Sequence, residues 1–209
     1  MHNSPAVTSD VLDGAAERLR AGGLAAFPTD TVYGVAALAS DPLAVRKLFE
    51  AKNRPPNKAI PILLGRVEEM ERVVEEVPEA AVRLAQAFWP GALTLVFRRR
   101  RDFVSPALAG GETVAARVPD HPVVRAIIER VGESLAGTSA NLSGRRSPVT
   151  AEEVREQLGA SVDIIIDGGR CPGGVESTVV DVTVDPPRLL REGAIPRSEL
   201  ERVTGLHFA

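Results

Sequence analysis

Short apolar runs and amphipathic stretches follow one another along the chain, punctuated by glycine, proline and capping residues. Ser9 is placed to cap a helix through about Ala21, with Gly22-Gly23 as its terminator. Leu24 to Phe27 follows as a short buried strand, stopped by Pro28. Asp41-Pro42 is a cap with a first-turn proline and opens a helix towards Lys52. Ile60 to Leu64 reads as a strand, and Arg66 to Val74 and Glu79 to Trp89 as amphipathic helices separated by Pro78. Leu93 to Phe97 and Val114 to Val118 read as strands, joined through an Arg98–Asp102 turn and a Gly110-Gly111 loop. His121-Pro122 opens a helix to Gly132, and Leu135 to Gly137 is a short strand running into a Thr-Ser-Ala-Asn turn. Thr150 and Glu153 predict a capping box for a helix ending near Gly159. Ile164 to Ile166, Val179 to Val184 and Leu189-Leu190 are further strands, and Pro196 to Val203 a last helix. This mixture predicts an α/β protein, and no repeat, low-complexity tract or long linker divides residues 1–209 into domains.

Composition narrows the function. Hydrophobic content of 44% and charged content of 25% are those of an ordinary globular protein. A net charge of −3 argues against nonspecific nucleic-acid binding by the whole chain, so a basic site must be a local cluster. The single cysteine, Cys171, excludes an internal disulfide and a four-cysteine zinc site, and suits a reducing cytosol. Met1 to Asp10 carries no secretory pattern, and no apolar run approaches the roughly 20 residues of a membrane span. A cytoplasmic location without membrane contact is expected.

The familiar phosphate loops are missing: there is no Gly-x-x-x-x-Gly-Lys-Ser/Thr, and no Gly-x-Gly-x-x-Gly after a strand. The Gly168–Gly174 loop reads as a mobile turn rather than a substrate lid. Lys52 and Arg54 place two cations on a corner stiffened by Pro55-Pro56, which fits phosphate binding and simple helix-end placement equally. Thr29, Asp30, Thr31 and Tyr33 follow a strand end, where α/β folds present ligand-binding side chains, although Tyr33 reads as core. Ser139, Asn141, Ser143 and Ser147 form a polar turn with Arg145 and Arg146, suited to turn formation or to ligand binding. Arg98 to Arg101 reads as a solvated hairpin tip, with weak RNA contact the lesser reading. His2, His121 and His207 lack metal-ligand spacing, and Cys171 has no histidine partner.

Taken in order, several motifs resemble the YrdC-like family of L-threonylcarbamoyladenylate synthases. They are Phe-Pro-Thr-Asp-Thr-Val-Tyr-Gly (Phe27 to Gly34), Lys52-x-Arg54-Pro55, Trp89 to Thr94, Arg117-Val118-Pro119, Ser139 to Gly144, Glu176 to Asp181 and Arg191-Glu192-Gly193. The resemblance implies an open, twisted, largely mixed or antiparallel sheet with flanking helices around a concave basic cavity, in the single-domain form. It implies a nucleotidyltransferase joining L-threonine, bicarbonate and ATP into threonylcarbamoyl-AMP with release of pyrophosphate. The product would be handed to a tRNA-modifying threonylcarbamoyl transferase. By the same resemblance Thr31, Arg117, Gly137 and Ser177 hold threonine. Arg54, Lys58, Thr113, Ser139, Ser147 and Arg191 hold ATP. Lys52, Arg54, Ser139 and Asn141 form the catalytic floor, with Mg²⁺ carried on the nucleotide and no metal ligands of the protein's own. One position departs from the pattern: Leu63 stands where many relatives have a histidine. That departure leaves room for a paralogue acting on another carbamoyl or aminoacyl adenylate, and the basic cavity for an RNA-binding module.

Overall fold

Helix boundaries follow the capping chemistry closely. The computed structural model describes residues 7–209, so His2 lies outside it. Helix α1 (Ser9–Arg20) buries Ala15, Ala16 and Leu19 on one stripe. Its cap is Thr8 rather than Ser9, whose hydroxyl instead donates to Asp13 one turn on. Gly22, at φ +78°, turns the chain out of the helix. Helix α2 (Pro42–Ala51) starts on Asp41, whose carboxylate accepts the N–H groups of Leu43 and Ala44. Helix α3 is Glu79–Phe88. Helix α4 (Pro122–Val131) is capped by His121 and ended by left-handed Gly132. Helix α5 (Ala151–Leu158) shows a displaced capping box. Thr150 accepts from the N–H of Glu153, but the Glu153 carboxylate reaches back to Val149, one residue short of the cap. Helix α6 is Arg197–Thr204.

Strands β1 (Ala25–Phe27), β2 (Gly34–Leu38), β3 (Ile62–Leu63), β4 (Leu93–Arg98), β5 (Thr113–Arg117), β6 (Leu135–Ser139), β7 (Ile164–Ile165), β8 (Thr178–Asp181) and β9 (Arg188–Arg191) form one sheet. Their order is β7-β1-β2-β6-β3-β5-β4-β8-β9. Pairs β1–β7, β3–β5 and β4–β8 are parallel and the remaining neighbours antiparallel, so the sheet is mixed, as expected. Strand β2 is absent from the sequence prediction, and β6 runs past Gly137 to Ser139. The predicted Arg66–Val74 helix forms instead a 3₁₀ segment over Val67–Arg72. A second 3₁₀ turn occupies Pro106–Leu108.

The two sheet faces are covered unequally, and this creates the site. Val35 and Ala37 of β2, Ile62 of β3 and Leu93, Leu95 and Phe97 of β4 belong to the larger core, with α2, α3, α5 and α6. On the alternate positions, Phe27, Ala36, Leu63 and Leu135 pack under α1 and α4. Those two helices rest on each other and cover only one part of their face. The rest is left open as a hollow.

Candidate functional site

The hollow is a cavity of about 530 Å³. Gly34, Leu63, Thr94, Arg117, Gly137 and Val179, from six different strands, contribute to its lining. Among the described residues six cations stand around them, Lys52, Arg54, Lys58, Arg117, Arg145 and Arg191, against a single lining carboxylate, Glu176.

At the floor, Arg117 ends β5 and is only 8% exposed. Its Nε donates to the Gly91 carbonyl at 2.9 Å, Nη1 to Thr31 Oγ1 at 3.1 Å and Nη2 to Asp30 Oδ1 at 2.7 Å. Burial pulls this guanidinium below the ordinary arginine range, and Asp30 opposes the shift. The same Asp30 oxygen accepts the Asp120 N–H at 3.1 Å. Thr29 donates to the Val32 carbonyl and accepts the Thr31 N–H. Its one proton is therefore used, and the 3.0 Å contact between the two hydroxyls carries the Thr31 proton. The Thr31 oxygen then accepts from Arg117.

On β6, across β3 from Arg117, Gly137 donates its N–H to the Pro61 carbonyl at 2.9 Å. Proline has no N–H to return, so the Gly137 carbonyl gains no donor from Pro61. Pro61 and Gly137 both line the cavity. A Cβ on Gly137 would lie 2.4 Å from Leu63 Cδ1, so the Leu63 side chain lies directly over this glycine.

One side of the cavity is built by Glu176. It accepts from Ser147 Oγ at 2.6 Å and pairs with Arg191. Burial works against its charge, but the Ser147 hydroxyl, Arg191 and Lys52 together hold it below the usual carboxylate range. Arg191 also grips the Ser177 carbonyl with Nε and Nη2, at 3.1 and 2.8 Å. Ser177 Oγ in turn meets Thr94 Oγ1 at 2.9 Å. Glu176 and Thr94 were not among the predicted site residues, although both lie inside quoted motifs.

Lys52 differs from the other cations. It is 1% exposed, and its ammonium donates to the carbonyls of Ser139 and Asn141 and to Asn141 Oδ1. Burial, with Arg54 nearby, brings it down to about 8, against an opposing pull from Glu176. Asn141 is equally committed: Oδ1 accepts from Ser139 Oγ at 2.6 Å, and Nδ2 donates to the carbonyls of Leu142 and Arg145. Arg54, by contrast, uses Nε and Nη2 on the Lys58 and Ala59 carbonyls. Its Nη1 and the Lys58 ammonium have no protein partner among the described residues. The paired cations of the sequence thus divide into a clamp, Lys52, and a donor open to a ligand, Arg54.

Two of the predicted nucleotide-binding residues fall outside the cavity lining. Thr113 is exposed and outside the lining, two residues before Ala115, which does line it. Ser147 stands behind Glu176 rather than in the lining. The Gly168–Gly174 loop is pinned rather than free. Tyr33, fully buried, donates to the Gly169 carbonyl and accepts the Gly168 N–H, while Cys171 and Gly174 donate to Val149 and Thr31. Burial pushes the Tyr33 hydroxyl up to about 12 and the Cys171 thiol up to about 11. In the arginine run, Arg99, Arg100 and Arg101 answer Glu112, Asp102 and Glu75, as a self-paired hairpin tip would. Among the described residues no helix is long and apolar enough to cross a membrane, and no cluster of three or more metal-type side chains is found.

A mixed sheet hollowed on one face, with a cation-lined cavity in the hollow, defines the structural class. The Sua5/YciO/YrdC family, described as telomere recombination, matches residues 17–193. The chain belongs to this family. It is 45% identical over 192 residues to threonylcarbamoyl-AMP synthase of Pyrococcus abyssi and 44% identical to that of Bacillus subtilis. Each match covers 91% of this chain and 56% of the relative, so the chain spans little more than half their length. P. abyssi Sua5, solved in complex with L-threonine, superposes with a TM-score of 0.93 at 42% identity, covering 97% of this chain and 60% of that one.

Proposed function

We propose that the cavity joins L-threonine, bicarbonate and ATP into threonylcarbamoyl-AMP. The observation that carries this reading is the cavity's division into a buried hydrogen-bonding floor and a rim of open cations. The floor suits an amino acid. Arg117, locked by Asp30 and Thr31, offers a charged face to a carboxylate or carbamate, and the Gly137 carbonyl accepts from an ammonium or amine. On the rim, Arg54 and Lys58 keep donors open for a triphosphate, and Arg191, held by Glu176 and Ser177, adds positive charge beside them.

In this scheme the threonine amine and bicarbonate condense with loss of water to give a carbamate. A carbamate oxygen attacks the α-phosphorus of ATP, and the bond to the β-phosphate oxygen breaks to release pyrophosphate. The chain's own contribution is to hold together three reactants that each carry anionic oxygens and to stabilise the charge that builds at phosphorus. Lys52 keeps Ser139 and Asn141 in place beneath them. Mg²⁺ enters with the nucleotide as part of that substrate; Glu176 is already engaged by Ser147 and Arg191. The unstable mixed anhydride then passes to an acceptor enzyme acting on tRNA.

Calorimetric titration tests the division of the cavity. Arg54→Ala should weaken ATP·Mg²⁺ binding at least tenfold while threonine affinity changes less than about twofold. The opposite pattern would reverse the two ends.

A further inference from the structure

From the packing at the cavity floor we infer that Leu63 determines amino-acid specificity, by providing the apolar surface against which the substrate's side-chain methyl rests. The inference rests on the assignment of the amino acid to Arg117 and Gly137. Leu63 lies on β3 between β5 and β6, in register with Arg117 on one side and Leu135 on the other. Residues paired across neighbouring strands project from the same face, so Leu63 and Arg117 rise side by side. Leu63 therefore belongs to two environments. It is part of the core under α1 and α4 with Val124, Ile127 and Leu135, and it also lines the cavity with 7% of its surface exposed.

Its orientation is fixed by the missing side chain at Gly137. The isobutyl group lies over that glycine, where a Cβ would be 2.4 Å from Cδ1 and 2.8 Å from Cγ. Three different chemistries thus line the same cavity: the Arg117 guanidinium, the Gly137 carbonyl with no donor from Pro61, and the Leu63 methyl groups. An α-amino acid held by its carboxylate or carbamate and by its amine presents its short side chain to Leu63. Leucine offers no hydrogen bond, so it reads the methyl of threonine and not its hydroxyl. A wall anchored in a packed core also yields little to a larger group.

Binding of three ligands to the purified protein separates these features. L-serine lacks the methyl, and L-2-aminobutyrate keeps the methyl but lacks the hydroxyl. The wild-type protein should bind threonine about tenfold or more tightly than serine, the scale on which apolar pockets read one carbon. In Leu63→Ala that ratio should fall to about twofold, while the threonine to 2-aminobutyrate ratio stays within twofold of wild type. Leu63→Met, which conserves volume and polarity, should keep the serine discrimination. A wild-type threonine to serine ratio below twofold overturns the inference. So does an unchanged ratio in folded Leu63→Ala, or a collapse of both ratios together. If wild type binds none of the three, the amino-acid reading of the cavity fails and this inference fails with it.

Discussion

Lys52 and Arg54 show how far residue type alone can be read. Both cations are visible in the sequence, but their roles separate only in three dimensions. Lys52 spends its donors on the Ser139–Asn141 turn, whereas Arg54 keeps Nη1 open. Glu176 was overlooked for a related reason: one carboxylate gives no local signal of lying among cations brought from α2, β9 and the turn after β6. Lys52 also sets a pH limit. Its folded-state value of about 8 lies below the usual 10.5, so it is charged at neutral pH and loses a proton, and one N–H donor, as pH rises through 8. A bound triphosphate favours the charged form and raises that value. We expect kcat/KM for ATP to fall along an alkaline limb near pH 8, with the limb in kcat displaced upward. A flat kcat/KM profile to pH 9.5 would remove Lys52 from the working site.

At the scale of elements, caps and terminators were legible because they act within a few residues: Asp41, His121, Thr150 and Gly132 all serve where the sequence placed them. Strand β2 was not. Gly34–Leu38 is buried on both faces for most of its length, so it lacks the polar alternation that marks a half-exposed strand. Only the ladders to β1 and β6 make it a strand. The fit between β3 and β6 gives an element-level prediction. Gly137→Ala must push Leu63 aside, and overpacking of this kind costs about 1–3 kcal/mol. Denaturant unfolding should show a lowered midpoint for Gly137→Ala, and a smaller added cost when it is made in a Leu63→Ala background. Equal costs in both backgrounds would mean the two side chains do not compete for this space.

The strand order was beyond the sequence at the scale of the whole molecule. Placing β6 between β2 and β3, and β8 beside β4, depends on pairings across many tens of residues that no local pattern encodes. The α/β class was readable from the mixture of helical and strand patterns, whereas the mixed sheet and the basic concavity were expected only through the family resemblance that the motifs carry. What makes the hollow is unequal covering: α1 and α4 shield part of one face, and the exposed remainder carries Arg117, Gly137 and Ser177. Coupling of an amino acid to a nucleotide in this one cavity is measured by pyrophosphate release from ATP·Mg²⁺ and bicarbonate, with and without L-threonine. Release should depend on threonine and fall at least tenfold in Arg54→Ala. Release at the same rate without threonine, or none with it, would mean that the cavity does not join the two substrates.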